Sequence, residues 1–146
     1  MEAFRKVFDL NFIGTLIPSM VFTRDMIERK RGVILNISSM NSYRPLTRIP
    51  AYSAAKASIN NFTAWLAVHL ARQNIRVNAI APGVTRTEFS QPLIDNPQIL
   101  KGLMSNTPLA RIAEPEEMVG TVVYLASDAS SYVTGQIIAI DGGITI

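Results

Sequence analysis

Three short apolar segments, separated by long stretches of helical pattern, constrain the fold of this chain most. They lie at residues 33–37, 76–80 and 136–140, and Arg76 is their only charged residue. Apolar runs of this length are typical of parallel strands, because crossover helices cover both faces of a parallel sheet. We therefore predict an α/β fold in which the first segment, at residues 33–37, is buried on both faces.

The segments between these strands predict the helices. Residues 51–73 carry the clearest pattern, with apolar side chains every three or four positions. Residues 3–30 show a mixed helical spacing, and Pro18 is expected to bend or break that helix. A third helix is predicted over residues 114–127, because a proline and acidic residues stand in its first turn. Residues 84–111 have no firm period and are expected to form a loop.

The predicted sheet resembles about half of a doubly wound domain. Three strands are few for such a sheet, and the sequence holds no G-x-G-x-x-G phosphate loop. No internal repeat or linker divides the chain. We expect residues 1–146 to be the C-terminal part of one Rossmann-like domain whose N-terminal Gly-rich half is absent. Such a half exposes sheet and helix surface, which favours assembly.

Composition excludes several classes of protein. With 48% hydrophobic residues and a net charge of +3, the chain is too apolar to be disordered. It has no cysteine and one histidine, so we predict neither a disulfide nor a metal site. That histidine, His69, is expected to be a packed or surface residue. Apolar runs are too short for a bilayer and positive charges are scattered, so we expect no membrane or nucleic-acid binding and a cytoplasmic location.

Tyr52 and Lys56 stand four residues apart at the start of the long helix and therefore share one face. A tyrosine is ordinarily a poor acid or base at neutral pH, since its unperturbed pKa is about 10. A neighbouring cation and the positive end of a helix both favour the phenolate, which makes a phenol a workable general acid/base. Polar residues also follow the first two strands, at 38–41 and 83–87, where open α/β sheets bind their ligands.

Four motifs occur in a characteristic order. They are N-F-I-G at residues 11–14, a serine pair at 38–39, Y-S-A-A-K at 52–56 and P-G-V-T-R-T at 82–87. This order resembles the short-chain dehydrogenase/reductase family, and the resemblance covers essentially the whole chain. It implies hydride transfer between NAD or NADP and an alcohol or ketone carbon, and it leaves open which of the two cofactors is used.

The resemblance also implies a role for each matching position. Tyr52 would be the general acid/base, and Lys56 would favour its phenolate and bond the ribose hydroxyls on the nicotinamide side. Ser39 would polarise the substrate oxygen, and Asn11 would hold a water in the proton relay near the lysine. Pro82, Gly83, the Thr85 backbone and Thr87 would line the cofactor. The family's usual branched apolar residue at position 85 is a threonine here.

Assembly into a homodimer or homotetramer is a further implication. Members of this family pack their long helices across a two-fold axis. On the helix predicted over residues 51–73, the short side chains of Ala57, Asn61 and Ala64 form a flat stripe. Short side chains let a second helix approach closely, so we expect this stripe to meet a partner subunit.

The segment between Ser39 and Tyr52 points to a polar substrate. It carries hydrogen-bonding side chains and two arginines, and arginine matches a carboxylate with two parallel hydrogen bonds. Residues 38–41, 45–52 and 61–69 are similar to the sugar-acid branch of the family, notably the D-mannonate oxidoreductases. We therefore expect a sugar acid of the mannonate, fructuronate or gluconate type. The side chains expected to contact it are those of Ser39, Asn41, Arg48 and Arg86.

Two alternatives remain open from the sequence. A 3-oxoacyl-acyl-carrier-protein reductase shares every catalytic motif, and its arginines would face an acidic carrier protein. A non-catalytic oligomerisation module is the alternative from another class, since half of the cofactor site is missing from the sequence. Dependence on a carrier-linked substrate separates the first alternative, and titration with NADH and NADPH separates the second.

Overall fold

A computed structural model describes residues 1–46 and 49–146 of the chain. The principal helices are α1 (Glu2–Phe8), α2 (Gly14–Arg29), α3 (Pro50–Leu70), α4 (Gln91–Ile94), α5 (Pro97–Ser105) and α6 (Val119–Ala126). The strands are β1 (Gly32–Ile37), β2 (Ile75–Pro82) and β3 (Ile137–Ile140). One π-helical turn, Asp9–Ile13, joins α1 to α2, and 3-10 turns occur at Met40–Ser42, Ala71–Gln73, Pro115–Met118 and Asp128–Ser130.

The three strands form one parallel sheet in the order β1-β2-β3. Gly32 pairs with Ile75 at the start of β1, and Ile37 pairs with Ile80 at its end. On the other side of β2, Pro82 pairs with Ile140. Helices connect successive strands, as parallel pairing requires. The predicted α/β fold with a parallel sheet is confirmed.

The prediction that β1 is buried on both faces is wrong. Ile37, its last residue, is 49% exposed, whereas Ile34 is buried. The reason is the position of β1 in the sheet, where β2 is its only partner among the described residues. An edge strand with one neighbour leaves apolar side chains exposed that a central strand would bury.

The hydrophobic core lies between α3 and the sheet. As the spacing predicts, Ile59, Phe62, Leu66 and Leu70 are buried along one face of α3. The last three of these pack in one cluster with Ile75 and Val77 of β2 and Ile34 of β1. Burying an aliphatic or aromatic side chain of this size contributes roughly 1.5–3 kcal/mol. This cluster therefore fixes α3 against the strands whose ends carry the site.

The break in the first helix lies one turn earlier than expected. The hydrogen-bond register changes in the π-helical turn Asp9–Ile13, and Pro18 lies inside α2. Because proline has no N–H, it cannot donate to the carbonyl of Gly14, and the register change occurs in the turn before it. Phe12 of this turn packs edge-to-face on Phe62, with ring centroids 6.1 Å apart. The distortion thus places an aromatic ring in the core.

The segment 84–111 is not the simple loop that its prolines suggested. It contains α4 and α5, and each begins with a proline in its first turn. Proline suits that position because its missing N–H has no partner there. Asn96 caps α5, since its Oδ1 accepts hydrogen bonds from the backbone of Gln98 and Ile99 at 3.1 and 3.2 Å. Residues in or next to the first turn of each helix therefore determine where it starts.

The third predicted helix begins with a capping box. The Glu117 carboxylate accepts a hydrogen bond of 2.8 Å from the backbone N–H of Glu114, and the Arg111 guanidinium pairs with it at 2.6 and 2.7 Å. These contacts, Arg111 first, lower the pKa of Glu117 to about 2. The first turn is a 3-10 turn, and α6 continues from Val119. No helix in residues 1–46 and 49–146 is long and apolar enough to cross a membrane.

Candidate active site

The ends of β1 and β2 and the first turns of α3 meet at one edge of the sheet. The chain leaves β1 at Ile37, and the backbone N–H of Ser38 continues the ladder with a 2.8 Å hydrogen bond to Ile80 of β2. The 3-10 turn that follows packs on α3. The polar residues predicted to lie at the strand ends are thus held by two strands and a helix. This edge is where open α/β sheets bind ligands.

Tyr52 and Lys56 are neighbours in the first two turns of α3. The Lys56 ammonium nitrogen lies 5.5 Å from the centroid of the Tyr52 ring. The same nitrogen donates a 2.9 Å hydrogen bond to the carbonyl oxygen of Ile37. Lys56 is only 9% exposed, and this burial lowers its pKa. The arrangement fixes a positive charge beside a half-buried phenol at the end of β1.

Ser39 lies in the turn directly after β1. It is buried, and its backbone is extended, with φ −164° and ψ 156°. Its Oγ accepts a 3.2 Å hydrogen bond from the backbone N–H of Asn41, which starts the 3-10 turn. A hydroxyl that accepts one hydrogen bond keeps its own proton for another partner. Ser39 therefore retains the group that could hold a substrate oxygen.

Asn11 lies in the π-helical turn and lines the same cavity as Lys56. The cavity has a volume of about 440 Å³ and lies between α2 and β1. The Asn11 side chain donates a 2.9 Å hydrogen bond to the carbonyl of Val7, four residues earlier. Its amide is therefore held by its own helix, while its position places it on the cavity wall that Lys56 shares.

Gly83 follows β2 where no larger residue fits. A Cβ atom built at this position would lie 2.7 Å from Cα of Asp141. The Gly83 N–H donates a 2.9 Å hydrogen bond to Ile140, so the loop continues the pairing of Pro82 with β3. Glycine is required here by the close approach of two backbones. The turn at Asp141 also contains Gly142 and Gly143, whose φ values of +66° and +89° confirm the turn predicted after the last strand.

Thr85 and Thr87 belong to a short loop that a buried serine organises. Ser90 Oγ lies 2.5 Å from the carbonyl oxygen of Thr85 and accepts a 3.0 Å hydrogen bond from the backbone N–H of Thr87. Thr85 also pairs with Ala113 in an isolated parallel bridge. Sequence reasoning missed Ser90. The available signal was its spacing of three residues after Thr87, a typical local hydroxyl–backbone arrangement.

The residues predicted to contact substrate have different surroundings. Asn41 is buried, and its Oδ1 has no hydrogen-bond partner among the residues that the structure describes. Arg86 is exposed, and its Nε pairs with Glu114 at 3.0 Å. Arg48 lies outside the described residues. The structure thus brings Ser39 and Asn41 to the strand end that Lys56 contacts, whereas Arg86 lies in the loop after β2.

Asn60 is a second residue that sequence reasoning missed. It lies one helical turn after Lys56 on α3, and its amide contacts Ser38 and Ser42 on the segment that carries Ser39. Its position four residues after Lys56 was the signal, because residues at that spacing share a face of a helix. A polar side chain on the inner face of this helix requires partners, and the two serines supply them.

Comparison with known proteins gives consistent matches over nearly all of the chain. The family model described as enoyl-(acyl carrier protein) reductase matches residues 1–145. An uncharacterised oxidoreductase, UxuB, from Bacillus subtilis is 43% identical over 97% of this chain and 53% of its own length. The chain therefore spans about half the length of this relative.

Two solved structures share the fold closely. A protein from Haemophilus influenza described as a D-mannonate oxidoreductase, with NAD bound, has a TM-score of 0.92 and 40% identity over 99% of this chain and 54% of its own. A gluconate 5-dehydrogenase from Burkholderia cenocepacia, in complex with NADP and tartrate, has a TM-score of 0.94 and 33% identity over 99% of this chain and 56% of its own. With the Tyr52–Lys56 geometry and the family-model match, these findings show that the chain belongs to the short-chain dehydrogenase/reductase family.

Proposed function

We propose that this protein is an NAD(P)-dependent oxidoreductase acting on a secondary alcohol or ketone of a sugar acid. The observation that carries the proposal is the position of the Lys56 ammonium, 5.5 Å from the Tyr52 ring centroid and 2.9 Å from the Ile37 carbonyl. This places a fixed charge between a phenol and the strand end that leads to Ser39. Such a trio suits proton transfer at a single substrate oxygen.

The described residues fit a nicotinamide dinucleotide. Lys56 holds an ammonium at the end of β1, on a cavity wall that Asn11 shares, and the end of the adjacent strand β2 lies at the same edge of the sheet. Lys56 would bind the ribose hydroxyls, and Pro82, Gly83, Thr85 and Thr87 would lie along the nicotinamide side. When bound, the cofactor supplies the hydride acceptor or donor.

The chain's own residues would handle the proton. In the oxidative direction, the Tyr52 phenolate takes the proton of the substrate hydroxyl, and in the reductive direction the phenol returns it to the carbonyl oxygen. Lys56 holds its positive charge beside the Tyr52 ring while the proton moves. Ser39 donates its hydroxyl hydrogen bond to the same substrate oxygen and so orients it. Asn11 would hold the water through which the proton is exchanged with solvent.

A sugar acid is the substrate class that the surroundings favour. Within residues 1–46 and 49–146, the buried Oδ1 of Asn41 has no hydrogen-bond partner, and an acceptor so close to Ser39 in the chain suits a hydroxylated substrate. Arg48 and Arg86 would recognise the carboxylate, Arg86 by exchanging its contact with Glu114 for the substrate. The names of the two solved relatives, and the tartrate bound in one of them, agree with a hydroxylated carboxylate.

The test of this function is a substrate panel with the full-length protein. D-mannonate, D-fructuronate and D-gluconate are assayed with each cofactor, and cofactor absorbance reports turnover. Turnover of at least one sugar acid is expected, with little on the corresponding alditol, because the alditol lacks the carboxylate. Equal rates on acid and alditol would contradict a role for the arginines.

Reduction of a carrier-linked 3-oxoacyl thioester is the second candidate. A solved 3-oxoacyl-[acyl-carrier protein] reductase from Brucella melitensis, with a TM-score of 0.92 and 35% identity over 99% of this chain, favours it. In this case exposed Arg86 would face the acidic carrier protein. Activity that requires the carrier-linked thioester, with none on sugar acids, would establish this candidate. Saturable binding of neither NADH nor NADPH in a folded sample would instead favour the non-catalytic oligomerisation module.

We also propose that α3 assembles copies of the protein into a homodimer or homotetramer. Ala57, Asn61 and Ala64 are exposed, as is Val68, at 81%. Next to them Trp65 stacks on His69 with ring centroids 5.1 Å apart, and both side chains are exposed, so His69 is a surface residue. Sedimentation should give a multimer for the full-length protein and a monomer for Ala64→Arg; an unchanged sedimentation coefficient in the variant would exclude this surface.

The open edge of β1 supports one further part of this proposal. The cavity beside it is lined by both apolar and polar side chains of α2 and β1, among them Phe22, Val33 and Asn36, and the chain spans about half the length of the relative from Bacillus subtilis. We take residues 1–146 as the C-terminal part of one NAD(P)-binding domain, in which additional strands would continue the sheet beyond β1.

A further inference from the structure

Asn60 connects two serines on the segment between β1 and α3. Its Oδ1 lies 2.5 Å from Ser38 Oγ, and its Nδ2 donates a 2.9 Å hydrogen bond to Ser42 Oγ. Ser38 precedes Ser39, and Ser42 ends the 3-10 turn that follows Ser39. One amide on α3 therefore holds the segment on both sides of Ser39.

The hydrogen bonds around Asn60 follow one another from donor to acceptor as a single continuous series. Ser38 has a single hydroxyl proton, and its shortest contact is to Asn60 Oδ1, whereas the Lys56 carbonyl lies at 3.2 Å. Asn60 Nδ2 donates to Ser42, and the Ser42 hydroxyl donates a 2.6 Å hydrogen bond to the carbonyl oxygen of Ser39. The chain thus begins at the residue before Ser39 and ends on the Ser39 backbone.

The same helix face carries Lys56, one turn earlier. The Lys56 ammonium binds the carbonyl of Ile37, the residue before Ser38. Segment 37–42 is therefore attached to α3 at two levels, once through Lys56 and once through Asn60. The Asn60 amide accepts from Ser38 and donates to Ser42 at the same time, which neither an ionised carboxylate nor an apolar side chain can do.

We propose that Asn60 is a positioning residue that holds Ser39 at the correct distance from Tyr52 and Lys56. The inference rests on the proposed oxidoreductase function, because it gives Ser39 its role toward the substrate oxygen. Asn60 acts through Ser38 and Ser42 and does not itself meet the substrate. A small displacement of a group that orients a reacting atom can cost up to about a hundredfold in rate.

The test uses Asn60→Ala, Ser42→Ala and their double variant in the full-length protein. Ser58→Ala is the matched control, because among the described residues Ser58 Oγ bonds only the carbonyl of Ala54 in its own helix, at 2.9 Å. We expect each single variant to lower kcat about tenfold while the cofactor Kd stays within about twofold. The double variant should be no slower than Asn60→Ala, since both changes break one chain. The control should keep the kcat of the unmodified protein.

Hydrogen exchange of residues 39–44 tests the positioning without turnover. The backbone N–H groups of Ser42, Tyr43 and Arg44 bond the carbonyls of Ser39 and Met40, and these amides should exchange faster in Asn60→Ala than in Ser58→Ala.

Unchanged exchange and unchanged kcat would overturn the inference, as would additive effects of the two single variants. A parallel loss of cofactor affinity and melting temperature would show a merely structural role and overturn it as well. Absence of turnover in the unmodified protein would defeat the proposed function, and the exchange result would still decide the role of Asn60.

Discussion

The ammonium nitrogen of Lys56 lies 2.9 Å from the carbonyl oxygen of Ile37. This hydrogen bond joins the second turn of α3 to the last residue of β1 and buries a positive charge beside the Tyr52 ring. The charge is thereby fixed in space by the fold. A substitution of Lys56 should therefore have two measurable effects. It should change the pH dependence of folding stability, and it should lower turnover and cofactor affinity.

Lys56→Met should separate these two effects. Burial lowers the pKa of Lys56 below its ordinary value of 10.5, so the folded state binds this proton less tightly than the unfolded state. The resulting penalty is complete below the lowered pKa and disappears as the pH rises through 10.5. The stability of Lys56→Met relative to the unmodified protein should therefore fall as pH rises, measured by urea denaturation.

The same variant should lose most of its turnover and weaken its cofactor binding, because Lys56 is proposed to have both roles. Lys101→Met, on the exposed surface of α5, is the control and should change neither property. A stability difference that is independent of pH would show that the Lys56 charge is not desolvated in the folded protein.

Gly83→Ala should destabilise the protein by about 1–3 kcal/mol, the usual cost of overpacking. Its Cβ would lie 2.7 Å from Cα of Asp141, and neither atom can move away without moving the backbone that carries it. Gly102→Ala is the control, since a Cβ there meets nothing within 4 Å and alanine favours a helix over glycine by about 1 kcal/mol. Thermal denaturation should show a lower Tm for the first and an equal or higher Tm for the second. Equal Tm values would refute the close approach.

Glu117→Gln should alter acid stability. Arg111 and the Glu114 N–H hold the pKa of Glu117 at about 2, against an ordinary value of 4.5. A depressed carboxyl pKa stabilises the folded state above the ordinary value, and this contribution is lost as pH falls toward 2. The variant should have a lower Tm at neutral pH, and its difference from the unmodified protein should shrink below pH 4.5. A constant difference across that range would be inconsistent with the pairing.

Ser90→Ala should loosen the loop that carries Thr85 and Thr87. The change removes the hydroxyl that bonds the Thr85 carbonyl and the Thr87 N–H. We expect cofactor affinity to fall about fivefold, since a lost hydrogen bond costs roughly 1 kcal/mol. Isothermal titration with NADH and NADPH measures this, and Ser105→Ala on exposed α5 is the control. Unchanged affinity would separate this loop from cofactor binding.

Local periodicity predicted the parts of the site that lie on regular elements. The spacing of four between Tyr52 and Lys56 was sufficient to place both on one face of α3, because the helical period is fixed. Apolar runs likewise indicated the three parallel strands. The strand ends then place Ser39 and Gly83 at one edge of the sheet.

Features that depend on ambiguous local signals or on distant partners were not predictable. Pro92 and Pro97 suggested a loop but begin α4 and α5, because proline suits both turns and first helical positions. The π-helical turn at Asp9–Ile13 puts Phe12 against Phe62, a contact that no local pattern reveals. The partners of Asn60, Ser38 and Ser42, precede it by 22 and 18 residues, and only the folded chain brings them within reach.

Tyr52→Phe tests the central claim most directly. The variant keeps the ring beside Lys56 and Phe89 and removes only the hydroxyl, so folding and cofactor affinity should be unchanged. Steady-state turnover of a sugar acid by the full-length protein should fall at least about a hundredfold, the usual contribution of a general acid/base. Retention of most of the rate, with the variant folded and the cofactor bound, would contradict the proposed role of Tyr52.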